Sequence, residues 1–299
     1  AQGVVDCGVF DMVRSVLPNE ITPTVFDGTP GNPTEKAVRE ALALYKENDC
    51  DGIIAIGGGS SIDLGKGVAL TASHDGPIND WSAMNGGKDK IGKAPPIIAI
   101  PTTAGTGSEV GGGSVLITDD GHKVVVVSTH LIPKMAICDP ELTLSLPKHL
   151  TAATGMDAMA HCIEAYLTNA INPPAAAIGL DGLERVVTYL KRAVDDGNDR
   201  DARWNMMMAA SEGAMAFAKG LGSVHSMSHA VGANEKLGAH HGTLNAVFLP
   251  TVLRFNADHV GNKYEQLRRA MGLADNADIS DWISEYNQTL DLPENLGAM

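Results

Sequence analysis

Two short, unbroken apolar runs, Ile53-Ile54-Ala55-Ile56 and Ile97-Ile98-Ala99-Ile100, mark the first half of this chain. Runs of four without polar alternation suit strands buried on both faces. Before the first run, Thr34 is placed to cap a helix over residues 35–48, with Val38, Leu42 and Tyr45 as its apolar stripe. Thr24-Val25-Phe26 reads as the end of an earlier strand. Strand, helix, strand in that order predicts a parallel sheet. Asp119-Asp120-Gly121, flanked by residues 115–118 and 124–127, predicts a hairpin. From about Leu146 the texture changes: residues 150–168, 175–193, 202–218, 222–233 and 244–257 read as helices, broken at Pro173-Pro174 and Asp195-Asp196-Gly197-Asn198. The pattern predicts a parallel-sheet α/β domain over residues 1–147, followed by an all-α domain over residues 148–299.

Composition narrows the possible partners. At 299 residues the chain exceeds the usual single-domain size, and its 44% hydrophobic content can fill two cores. A formal charge of −14 argues against non-specific nucleic-acid binding and against anionic membrane surfaces, and no apolar run approaches the roughly 20 residues of a membrane span. Cys7, Cys50, Cys138 and Cys162 are scattered without a C-x-x-C pair or secretory leader, which predicts reduced thiols in a soluble, cytoplasmic protein.

Candidate chemistry concentrates in four stretches. The stretch from Gly220 to Gly242 holds four of the ten histidines, His225, His229, His240 and His241, among small and apolar residues. Upstream, Asp157 and His161 are four positions apart, as are His225 and His229, so each pair shares one face of a helix. One carboxylate with three imidazoles makes an oxygen and nitrogen donor set suited to divalent iron or zinc. Following the first apolar run, Gly57-Gly58-Gly59-Ser60-Ser61-Ile62-Asp63 turns from strand into helix, a candidate pyrophosphate cradle. It matches neither the G-x-G-x-x-G fingerprint nor a Walker loop. After the second run, Pro101-Thr102-Thr103-Ala104-Gly105-Thr106-Gly107-Ser108-Glu109 supplies hydroxyls at the carboxyl end of a strand, where open parallel sheets bind ligands or where such groups satisfy their own backbone.

Taken together, these residues resemble the iron-dependent (group III) alcohol dehydrogenases. The matching pieces, in order, are Gly57-Gly58-Gly59-Ser60 with Asp63, Thr102 through Glu109, Asp139-Pro140-Glu141-Leu142-Thr143, Thr154 through His161, His225-Ser226-Met227-Ser228-His229, and His241-Gly242. The resemblance implies a dehydroquinate synthase-like fold, with an N-terminal dinucleotide-binding α/β domain and a C-terminal helical domain. It implies Asp157, His161, His225 and His241 as ligands of a divalent metal, Fe(II) by the family's name and Zn(II) by the same donors. The following Gly242 selects His241 over His240. It also implies NAD or NADP as cofactor, contacted by Asn32, Gly58, Gly59, Ser60, Ser61, Asp63, Thr102, Thr103, Thr106 and Lys123. The family's first strand is expected before Ala1, and its C-terminal end beyond Met299.

The expected activity is hydride transfer between a small alcohol or aldehyde and NAD(P), in a homo-oligomer such as a dimer. His229, one turn beyond His225, is expected either to exchange a proton with substrate or to shape the site. A dehydroquinate synthase-like lyase is the nearest rival, but it needs a basic pocket for an anionic substrate, and residues 150–245 carry few Lys or Arg near the motifs. A glycerol dehydrogenase-like enzyme or an inactive binding homologue would share the same fold.

Overall fold

Both isoleucine-rich runs form strands in the computed structural model, which describes residues 1–234 and 237–299; Glu235 and Lys236, inside the His-rich stretch, lie outside the described residues. By packing, the chain divides into a unit of Ala1–Thr102 with Ser108–Leu142 and a unit of Thr103–Gly107 with Thr143–Met299.

The first unit runs α1 (Gln2–Asp6), α2 (Val9–Ser15), α3 (Glu35–Glu47), β1 (Ile53–Gly57), α4 (Gly59–Ser73), β2 (Ile97–Pro101), β3 (Gly113–Ile117), β4 (Lys123–Val127) and β5 (Met135–Ala136). β1, β2 and β5 form a parallel sheet in that order, with Ile53 opposite Ile97 and Gly57 opposite Pro101. Alternate residues go to opposite faces. Ile53, Ala55, Ile97 and Ala99 pack with Val38, Ile62 and Val68 from α3 and α4, while Ile54, Ile56, Ile98 and Ile100 pack with Val9, Val13 and Leu142. Burial on both faces explains why neither run alternates. Thr34 caps α3 by accepting from the Ala37 N–H at 3.2 Å. β3 and β4 form the antiparallel hairpin, with Val115 opposite Val125. One expectation fails: Thr24-Val25-Phe26 is not a strand. Val25 is exposed and only Phe26 packs against the core, so the segment has one apolar anchor and no ladder to join.

The second unit is helical: α5 (Lys148–Leu167), α6 (Pro173–Asp195), α7 (Arg200–Ala216), α8 (Ser223–Gly232), α9 (His241–Asn256), α10 (Lys263–Ala270) and α11 (Ile279–Thr289). Asn172 caps α6 ahead of Pro173, and Asp199 caps α7, so both breaks read from the sequence are helix starts with a physical signal. α5 is the hub. Its Met156, Met159 and Ile163 are fully buried among Leu183 and Leu190 of α6 and Leu249 of α9. α9 runs through Pro250, which lacks the donor for the Ala246 carbonyl; that carbonyl instead accepts from Asn287 Nδ2 at 2.8 Å. Among the described residues, no helix is long and apolar enough to cross a membrane.

Candidate metal and cofactor sites

α5 buries two carboxylates and an imidazole among its apolar residues: Asp157, Glu164 and His161. Their spacing of four and then three residues puts them on one face. α8 adds His225 and α9 adds His241. Asp157 Oδ1 lies 3.5 Å from His225 Nε2, 3.6 Å from His241 Nε2 and 3.9 Å from His161 Nε2. Donor atoms of Asp157, His225 and His241 all fall within 4.8 Å of one another, a group able to hold a metal ion. His161 stacks on His225, ring centroids 4.4 Å apart, at the side of that group. His240 is exposed at the N-cap of α9, whereas His241, one residue on, turns inward. His229 is half-buried, with its ring 4.9 Å from that of His241.

Close packing explains the glycine after His241. A Cβ on Gly242 would stand 2.1 Å from the Ala153 carbonyl oxygen, so α9 can begin against α5 only without a side chain there. The same approach carries His241 to Asp157.

Electrostatics favour a cation at this point. Burial disfavours the Asp157 carboxylate, but the three surrounding imidazoles outweigh it and hold its pKa well below the usual range. Burial pushes His161 down to about 4, which keeps it neutral. For His225, burial is outweighed by hydrogen bonds to Asp157 and Glu164, which push it up to about 9. A position that draws a proton so firmly between two buried carboxylates suits a divalent ion in its place.

Two participants escaped the sequence reading. Asn245 Nδ2 donates to Asp157 Oδ1 at 2.7 Å and lies 3.2 Å from both His225 Nε2 and His241 Nε2, while its Oδ1 is buried with no hydrogen-bond partner. Glu164 accepts from His225 Nδ1 at 2.6 Å. Their spacing was the available signal, since Asn245 lies four residues after His241 and Glu164 three after His161. The donor set, its burial and an amide directed at its lone pairs fit a divalent metal.

In the first unit, β1 ends in Gly57 at φ +140°, and a Cβ there would meet Ser61 Oγ at 2.4 Å, so this turn requires glycine. Gly58 is the N-cap of α4, which starts at Gly59 with no side-chain cap. An uncapped helix start behind a glycine turn fits a phosphate. Ser60 Oγ donates to the Gly31 carbonyl at 2.5 Å, and beside it Lys123 Nζ donates to Asn32 Oδ1 at 3.3 Å, so Asn32, Ser60 and Lys123 belong to one neighbourhood. Asp63 is otherwise engaged. Its carboxylate accepts from Ser108 Oγ at 2.6 Å and Val115 N at 2.9 Å, and the fully buried Lys66 reaches the carbonyls of Ser108, Gly111 and Gly113 within 2.8 Å. These two side chains fasten the 108–115 segment to α4. Thr102 is buried, its N–H bonded to the Gly57 carbonyl, while Thr103 and Thr106 pack with the second unit.

Comparison with known proteins agrees along the whole chain. Residues 1–140 match the family model for iron-containing alcohol dehydrogenase, and residues 151–299 match the C-terminal model of the Fe-containing alcohol dehydrogenase family. The chain is 54% identical to 4-hydroxybutyrate dehydrogenase of Cupriavidus necator, covering 100% of this chain and 80% of that protein. Its structure is similar to crystalline 1,3-propanediol oxidoreductase, with TM-score 0.88 and 33% identity over 99% of this chain and 79% of the other. Sulfoacetaldehyde reductase from Bifidobacterium kashiwanohense, solved with NAD+, gives TM-score 0.87 and 30% identity over 98% of this chain and 77% of that one. With the buried carboxylate and imidazoles on α5, α8 and α9, these likenesses identify the chain as a member of the iron-containing alcohol dehydrogenase family, metal-dependent oxidoreductases that act on alcohols.

Proposed function

We propose that this chain interconverts a small primary alcohol and its aldehyde, with NAD or NADP as hydride partner and a divalent cation held by Asp157, His161, His225 and His241. The observation that carries this reading is the buried donor group on α5, α8 and α9. Iron is the ion of the family's description, and zinc accepts the same donors. Support for a nicotinamide dinucleotide comes from the glycine turn into α4 and from the structural neighbour solved with NAD+. The relative named for 4-hydroxybutyrate and the neighbour named for 1,3-propanediol both point to a terminal hydroxyl on a three- or four-carbon chain.

When bound, a divalent ion supplies Lewis acidity at the substrate oxygen and a nicotinamide supplies the hydride acceptor. The chain's own residues do the rest. Asp157 brings the one full negative charge among the proposed ligands, and the buried His161 and His225 keep water from that side. Alcohol plus NAD(P)+ yields aldehyde, NAD(P)H and a proton, and His229, beside His241, is placed to pass that proton on. The test is NAD(P)H formation from 4-hydroxybutyrate, 1,3-propanediol, ethanol and the secondary alcohol 2-propanol with each dinucleotide. Turnover of at least one primary alcohol is expected; activity confined to secondary alcohols, or none with any alcohol in metal-loaded protein, contradicts the proposal.

A further inference from the structure

Glu164 is a buried carboxylate on the helix that carries Asp157 and His161, yet it faces His225 rather than the cluster of donor atoms. It makes three contacts with the start of α8. Oε1 accepts from the Val224 N–H at 2.7 Å, and Oε2 accepts from the His225 N–H at 3.2 Å and from His225 Nδ1 at 2.6 Å. Room for this approach comes from Gly222, where a Cβ would stand 2.6 Å from Glu164 Oε1. No side chain of α8 itself caps that end. A carboxylate there satisfies first-turn amides and lies at the favourable end of the helix dipole.

The same contact decides which nitrogen of His225 carries hydrogen. A carboxylate accepts and does not donate, so Nδ1 holds the proton and Nε2 presents a lone pair. A second observation agrees independently. Asn245 Nδ2 is fixed as a donor by its 2.7 Å contact with the Asp157 carboxylate, and its second hydrogen is left for His225 Nε2 and His241 Nε2, each 3.2 Å from Nδ2, a setting that suits a lone pair on His225 Nε2. Nε2 is the atom turned to Asp157 and within the donor group.

We infer that Glu164 is a positioning residue that locks His225 with Nδ1 protonated and Nε2 free to ligate, and ties that choice to the start of α8. The inference rests on reading Asp157, His225 and His241 as a metal site. A carboxylate behind a ligating histidine fixes ring orientation and tautomer, and its loss typically weakens metal binding by about 10–100-fold. In Glu164→Gln, the amide oxygen still accepts from Val224 while the amide nitrogen faces Nδ1 as a donor. That arrangement moves the ring proton to Nε2, the ligand atom.

Metal-stripped protein is titrated with Zn(II) against a chromophoric chelator, and the metal-free unfolding midpoint is measured beside it. Expected for Glu164→Gln is about a 10- to 100-fold weaker Zn(II) affinity, measured on folded protein, beside the lower metal-free midpoint that loss of a first-turn carboxylate brings. Gly222→Ala, which pushes the carboxylate aside without removing its charge, is expected to weaken Zn(II) in the same sense and carries the test if the glutamine variant does not fold. In ¹⁵N-histidine NMR of the unsubstituted metal-free chain, taken above pH 9 where the ring has lost its second proton, His225 is expected as the Nδ1–H form. Unchanged Zn(II) affinity in Glu164→Gln, a loss confined to the metal-free midpoint, or an Nε2–H form in the unsubstituted chain overturns the inference while leaving the metal site standing. If the unsubstituted chain itself takes up no Zn(II), or His241→Ala takes it up equally, the metal reading falls and this inference with it.

Discussion

His229 follows His225 by one turn of α8, with its ring 6.2 Å from His225 and 4.9 Å from His241, so it borders the donor group without entering it. His229→Ala is therefore expected to retain metal and lose about 10²–10⁴-fold in turnover, the range for a positioned acid or base. Metal analysis and steady-state rates check this, and unchanged turnover and pH profile would leave the residue a structural role. His225 sets a pH dependence of its own. Its pKa rises on folding to about 9, so its contribution to the stability of metal-free protein is complete below its ordinary value of 6.5 and fades as pH rises through 9. A metal must displace that proton, so Zn(II) affinity at fixed free zinc is expected to rise by roughly tenfold per pH unit across this interval, the slope for one proton released. An affinity flat from pH 6.5 to 9 contradicts the assignment of His225. The sequence made the spacing of the donor histidines visible because imidazoles are rare among small apolar residues. Asn245 and Glu164 were hidden, since an amide or a glutamate inside a helix is ordinary until the partner helix shows what it faces.

At the level of the elements, α5, α8 and α9 bring the donor side chains together through close backbone contact. Gly242 shows how tight that is, because a Cβ there would overlap the Ala153 carbonyl. Gly242→Ala must tilt the start of α9 away from α5 and carry His241 from Asp157. The expected result is a loss of about 1–3 kcal/mol of stability, the usual range for overpacking, together with weaker metal binding. Urea unfolding and Zn(II) titration of the variant check both, and a variant with unaltered metal affinity would show that α9 does not set the position of His241. The helices and buried strands were legible because their periodicities are strong, from the four-residue isoleucine runs to the caps at Thr34, Asn172 and Asp199. Thr24-Val25-Phe26 misled because β-branched composition alone says nothing about whether a neighbouring strand is there to pair with.

At the scale of the whole molecule, the two units carry different chemistry. One holds the glycine turn into α4 and the other holds the buried donors. Less legible was the use of Asp63 and Lys66, polar residues inside a candidate cradle that instead fasten the 108–115 segment, because a sequence does not show which way a helical side chain is turned. In the proposed function, alcohol oxidation by this chain depends on a divalent ion held by His241 and its partners. This dependence is tested most directly by measuring metal content and NAD(P)H formation together, in metal-stripped and Fe(II)- or Zn(II)-restored protein, for the unsubstituted chain, His241→Ala and its neighbour control His240→Ala. The predicted result is one metal per chain and restored turnover in the unsubstituted protein and His240→Ala, with neither in His241→Ala. Turnover that survives metal removal, or equal metal content in both variants, would contradict it.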